Sequence, residues 1–103
     1  MNTGQFIKEK MHNMAVWVKT ELDIDCVKQI DARSELELTT LCAALHTHRG
    51  FEVTEDWDAL LHKVEEVPLP AFRDIVHKVH KRKDMHEKFW KYIKLFIEVI
   101  EGN

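Results

Sequence analysis

Residues 84–101, DMHEKFWKYIKLFIEVIE, carry the strongest structural signal in the chain. Their apolar side chains recur at steps of three and four residues, which places them on one face of a helix. Asp84 and Glu87 have the D-x-x-E spacing of a capping box, and Gly102 stands where such a helix would end. The sequence therefore predicts a scaffold helix over residues 85–101, with a length of about 25 Å.

Upstream, caps and apolar stripes predict the other helices. Asn2 and Gln5 form a weak N-cap pair, whereas Ser34 and Glu37 form a clear S-x-x-E capping box. Pro70 suits the first position of a helix. The predicted segments are residues 4–21, 26–31, 35–49, 55–66 and 70–81.

The boundaries between these segments also have sequence signals. Gly50 followed by Phe51 predicts a Schellman-type end for helix 35–49, and Thr54 is the predicted N-cap of the next helix. Between Val79 and Met85 the apolar pattern lapses, and a turn there is preferred to one continuous helix. Short loops of this kind favour antiparallel neighbours. The predicted fold is a single all-α domain over residues 1–103, a compact antiparallel bundle of five or six short helices.

Composition places the chain among soluble globular proteins. It is 45% hydrophobic and 32% charged, which is too apolar for a disordered chain. No apolar run approaches the roughly 20 residues that a membrane span requires, and the N-terminal segment lacks the apolar core of a signal peptide. Two cysteines do not make a disulfide scaffold. We therefore expect a cytoplasmic protein with no membrane partner.

The sequence contains no motif for catalysis or cofactor binding. The three glycines are isolated, so no phosphate-binding loop is present. His77 and His80 share a predicted helix face, but zinc requires three or four converging ligands. Cys26 lies among acidic residues and Cys42 in an apolar stripe, neither of which favours a thiolate. We predict no catalytic residue, no metal ligand, no cofactor and no enzymatic activity.

Charge is unevenly distributed along the chain. Residues 1–70 hold 7 Lys/Arg against 13 Asp/Glu, whereas residues 71–103 hold 8 against 5. Basic residues interleaved with aromatic ones are typical of nucleic-acid binding, although the same residues could be the solvated face of two helices. The candidate nucleic-acid-binding residues are Lys78, Lys81, Arg82, Lys83, Lys88 and Lys91.

A protein–protein surface is the leading hypothesis. The predicted core face of helix 85–101 consists of Phe89, Ile93, Phe96, Ile97 and Ile100. Four more apolar or aromatic residues remain, so the helix is either central or pairs with a partner. The candidate interface residues are Trp90, Tyr92, Leu95 and Val99, whereas Trp17 and Trp57 are expected in the core.

These observations predict a small protein-binding regulator, inhibitor or adaptor that docks through a helix face. Its partner would be another protein or a second copy of itself, as a homodimer. Small phage or bacterial inhibitors and immunity proteins are similar in size and helical composition, an analogy of fold class alone. Nucleic-acid binding through residues 78–94 is the alternative.

Overall fold

The computed structural model describes residues 2–46 and 56–101, and the regular structure in these ranges is entirely helical. The helices are α1 (Thr3–Leu22), α2 (Val27–Asp31), α3 (Glu35–His46), α4 (Trp57–Lys63), α5 (Pro70–His80) and α6 (His86–Glu101). Short 3-10 turns follow α4 at Val64–Glu66 and precede α6 at Lys83–Met85. The predicted all-α bundle is confirmed, while the end predicted at Gly50 lies outside the described residues.

Capping boxes fix the starts of α1 and α3, one at the predicted N-cap pair of Asn2 and Gln5 and one at the predicted box of Ser34 and Glu37. The Asn2 side chain accepts a hydrogen bond from the Gln5 backbone N–H at 2.8 Å, and Gln5 Oε1 accepts one from the Asn2 N–H at 3.1 Å. Ser34 and Glu37 make the same reciprocal pair at 3.1 and 3.2 Å. Each box satisfies N–H groups that the first turn of a helix leaves without an intrahelical acceptor.

α4 is shorter than the helix predicted over residues 55–66. Its N-cap is Asp56, whose carboxylate accepts a hydrogen bond from the Ala59 backbone N–H at 3.1 Å. The predicted N-cap, Thr54, lies outside the described residues. At the other end the backbone tightens into the 3-10 turn at Val64–Glu66, as helix ends commonly do.

The predicted turn between α5 and α6 is confirmed, but Asp84 engages a different group from the one expected. Its carboxylate accepts hydrogen bonds from Arg82 Nε at 3.0 Å and Arg82 Nη2 at 2.9 Å. Asp84 lies within a 3-10 turn, and α6 begins two residues later at His86. An arginine–carboxylate pair thus stands where the sequence predicted a capping box with Glu87.

α6 packs against α1, α3 and α5, and α1 in turn contacts α2, α3, α5 and α6. Buried apolar side chains from all six helices form one cluster, and burial of this kind is the main favourable term in folding. The α6 residues in the cluster, each at most 2% exposed, are Phe89, Trp90, Ile93, Phe96 and Ile97. No helix in the described ranges is long and apolar enough to cross a membrane.

Trp90 belongs to this core and does not lie on an exposed interface. Its side chain is 1% exposed, and its ring meets the ring of Trp57 edge-on at 5.1 Å. Helical spacing explains the placement, since Ile93 and Ile97 follow Trp90 by three and seven residues on the same side of α6. For Trp90, the central-helix alternative is therefore the correct one.

Candidate binding surface

Neither cysteine offers a reactive thiol. Cys26 and Cys42 are free and buried. Burial raises the pKa of Cys42 to about 12. Burial, with a smaller contribution from Asp25, also raises the pKa of Cys26. Both thiols therefore stay protonated near neutral pH, which leaves no thiolate for nucleophilic chemistry.

The histidines of α5 and α6 make contacts with neighbouring side chains and backbone. His77 Nε2 lies 3.5 Å from a carboxylate oxygen of Glu65. The rings of His80 and His86 stack with their centroids 6.3 Å apart, and His86 Nε2 donates to the backbone oxygen of His80 at 2.9 Å. Within the described ranges, no three His, Cys, Asp or Glu side chains converge in a group that could hold a metal ion.

The predicted nucleic-acid residues do not line one groove. Lys78 and Lys81 line a groove on α5 together with Asp74. Lys88 and Lys91 line a different groove, formed with α1. The basic segment is therefore continuous in sequence but divided in space.

Arg82, also predicted to contact nucleic acid, is engaged within the chain. Besides its two hydrogen bonds to Asp84, its Nη1 donates to the backbone oxygen of Glu21 at 3.3 Å. These bonds connect the turn before α6 to the last turn of α1. Arg82 thus acts as a structural link, and its neighbour Lys83 is exposed on the same turn.

A shallow groove of about 260 Å³ joins α1 to α6, and we call it the α1/α6 groove. On each helix, the residues that line it recur at steps of three or four positions, except that Lys91 and Tyr92 are neighbours, so each helix presents one face. The lining residues are Lys10, Asn13, Lys88, Lys91, Tyr92 and Leu95.

Aromatic contacts support the floor of the α1/α6 groove. The rings of Trp17 and Tyr92 lie 5.9 Å apart, and Tyr92 stacks on Phe96 with a centroid distance of 6.3 Å. Lys88 Nζ lies 5.1 Å from the centre of the Trp17 ring, within the range of a cation–π interaction. Partial burial raises the pKa of Tyr92, so its phenol keeps the proton and can donate a hydrogen bond.

The charge around the groove is positive, with two acidic neighbours. Lys91 Nζ lies 3.6 Å from Glu87, and Lys10 Nζ lies 3.8 Å from Glu9. These pairs are solvent-exposed or partly exposed, and such pairs are worth little energetically. Both ammonium groups can therefore turn to an incoming anionic group at small cost.

Of the four predicted interface residues, Tyr92 and Leu95 line the α1/α6 groove, whereas Trp90 is buried. Val99 is half-buried and packs against the core cluster.

The α1 side of the groove was not predicted, although Lys10, Asn13 and Trp17 follow one another at steps of three and four on α1. That spacing is the sequence pattern from which the α1 side of the groove could have been predicted. Trp17 packs partly against the core, as expected, and also underlies the groove.

Comparisons with known proteins find no family model, curated protein or solved structure that matches the chain.

Proposed function

We propose that this protein is a small non-enzymatic regulator or inhibitor that binds another protein through the α1/α6 groove. The proposal rests on one observation. Tyr92 and Leu95 line the same groove as three lysines, Lys10, Lys88 and Lys91. Half-exposed tyrosines are frequent anchors of protein interfaces, because one residue supplies apolar area and a hydrogen-bonding group. We place its action in the cytoplasm, since two free thiols suit a reducing compartment.

The chemistry of the groove specifies the kind of partner segment. Lys10, Lys88 and Lys91 would attract carboxylates and accelerate encounter, while Tyr92 and Leu95 would contact an apolar side chain. The partner segment is therefore acidic and carries at least one apolar or aromatic residue. Binding of this kind should weaken as salt rises, because exposed charges are screened.

Nucleic acid is the second candidate for the same groove. The observation in its favour is a tyrosine beside three lysines, since aromatic side chains stack on bases while lysines contact phosphates. Protein is favoured because Lys78 and Lys81 line a separate groove and the donors of Arg82 contact Asp84 and Glu21. The contacts available to a phosphate backbone are therefore few.

A pull-down tests the proposal, in which tagged wild-type or variant protein is used as bait in an extract of its native host. Two of the variants reverse the charge of one lysine. Lys88→Glu changes the α1/α6 groove, and Lys78→Glu makes the same change on the separate α5 groove. We expect wild type and Lys78→Glu to retain the same protein. Tyr92→Ala and Lys88→Glu should bind that protein, once purified, about 30-fold more weakly or worse, as interface hot spots do.

Two outcomes would contradict the proposal. One is equal retention of the partner by wild type and by Tyr92→Ala. The other is a salt-sensitive attachment to heparin and to single-stranded DNA that Lys88→Glu abolishes, because counterion release is typical of nucleic-acid binding. The second outcome would make nucleic acid the ligand of the same groove.

A further inference from the structure

A second groove, of about 280 Å³, lies between α3 and the segment that leads into α5. Its walls are apolar and include Leu36, Leu41, Pro68 and Leu69. Leu36 is 76% exposed, an unusual position for a large apolar side chain on the first turn of a helix. We call this feature the α3 groove; none of its lining residues lines the α1/α6 groove.

We propose that the α3 groove is the contact between two copies of this chain. The face carries a protruding apolar side chain, Leu36, directly beside an apolar depression formed with Leu41 and Leu69. A twofold axis through such a face would place Leu36 of each copy in the depression of the other. This is the self-complementarity that an isologous interface requires.

The charges at the edge of the groove also favour a second copy as the occupant. Arg33 and Glu37 line the groove, and Arg33 Nη1 lies 3.2 Å from Glu37 Oε2. A twofold rotation can bring the arginine of one copy towards the glutamate of the other, so both signs find a partner. A segment of uniform charge would be attracted by one of these residues and repelled by the other.

Sedimentation from micromolar to near-millimolar concentration tests the proposal, with Leu36→Lys as the disrupting variant. Val16→Lys is the matched control, because Val16 is also an exposed apolar residue, 43% exposed, on α1. Circular dichroism confirms that each variant folds. We expect wild type and Val16→Lys to form dimers with the same dissociation constant, and Leu36→Lys to dimerise at least tenfold more weakly.

A site-specific readout separates this contact from other modes of association. Leu36→Cys should be joined into dimers by a short bis-maleimide, whereas Val16→Cys should not, and the buried Cys26 and Cys42 do not compete for the reagent. The proposal is overturned if wild type remains a monomer throughout. It is also overturned if Leu36→Lys dimerises like wild type, or if Tyr92→Ala abolishes the dimer. The inference is independent of the α1/α6 groove, so either proposal can fail alone.

Discussion

Gly4 holds the N-terminal ends of α1 and α3 close together. A Cβ atom at this position would lie 2.9 Å from the Cβ of Glu35 and 2.8 Å from its Oε1. Carbon atoms in contact are normally about 3.5–4.0 Å apart. The Glu35 Cβ is fixed to the backbone of α3, so rotation of the side chain alone cannot relieve this contact.

We predict that Gly4→Ala lowers the free energy of unfolding, although alanine favours a helix by about 1 kcal/mol over glycine. Forced overpacking typically costs about 1–3 kcal/mol, and the shift it needs would move α1 away from α3. Urea denaturation followed by circular dichroism measures the change. Asn13→Ala, at an exposed position of the same helix, is the control and should not destabilise. A more stable Gly4→Ala variant would contradict the close approach.

Asp23 is the C-cap of α1 and has a left-handed backbone, with φ 57°. Asparagine is favoured over other non-glycine residues in this conformation, and a negative charge is unfavourable near the C-terminal end of a helix. We predict that Asp23→Asn raises the free energy of unfolding by about 0.3–1 kcal/mol. Thermal unfolding measures it, with Asp74→Asn in the middle of α5 as the control. A fall in the midpoint temperature would show that Asp23 has a role that asparagine cannot fill.

At the scale of the helix, the sequence predicts most local patterns, with the capping box at Asp84 as an exception, whereas it does not predict the contacts between helices. The boxes at Asn2 and Ser34 join residues three apart, so the sequence contains the whole interaction. The hydrogen bond from Arg82 to Glu21 crosses 61 positions, and no local pattern predicts it. For the same reason the sequence places Tyr92 among interface residues, and the spacing of Lys10 and Asn13 puts them on one face of α1, but no local pattern shows that this face lies beside Tyr92.

The capping box of α3 makes a pH-dependent contribution to stability. The backbone N–H of Ser34 is the largest cause that lowers the pKa of Glu37, followed by a hydrogen bond from Arg33. A carboxylate with a lowered pKa stabilises the fold fully above the ordinary glutamate pKa, about 4.3. This stabilisation is lost as the pH falls through the lower pKa of the folded chain.

We therefore predict that Glu37→Gln is less stable than wild type near neutral pH, and that the difference shrinks as the solution becomes acidic. Glutamine can still accept the hydrogen bond from Ser34 but carries no charge to titrate. Denaturation curves of both proteins across this pH range provide the measurement. A difference that stays constant from neutral to acidic pH would contradict the assigned cause. Glu98→Gln, an exposed glutamate near the end of α6, is the matched control.

On the scale of the whole molecule, α6 contributes side chains both to the core and to the α1/α6 groove. Phe89, Trp90 and Ile93 face the core cluster, while Tyr92 and Leu95 line the α1/α6 groove. Trp90 and Tyr92 are two residues apart and therefore point to different sides of the helix. Both are aromatic, so residue type alone could not assign one to the core and the other to the surface.

Substitution of these two aromatic residues should separate stability from binding. Trp90→Ala removes a buried ring and should lower the free energy of unfolding by about 3–5 kcal/mol. That is a large part of the total free energy of unfolding of a typical domain, which is about 5–15 kcal/mol. Tyr92→Ala removes a half-exposed ring and should lower the free energy of unfolding clearly less. The same substitution should abolish or strongly weaken partner binding. Urea denaturation ranks the stabilities, and titration of each folded variant with the captured partner ranks the affinities. If Tyr92→Ala proved as destabilising as Trp90→Ala, its ring would belong to the core, and the α1/α6 groove would lose its anchor because no exposed aromatic residue would remain in its lining.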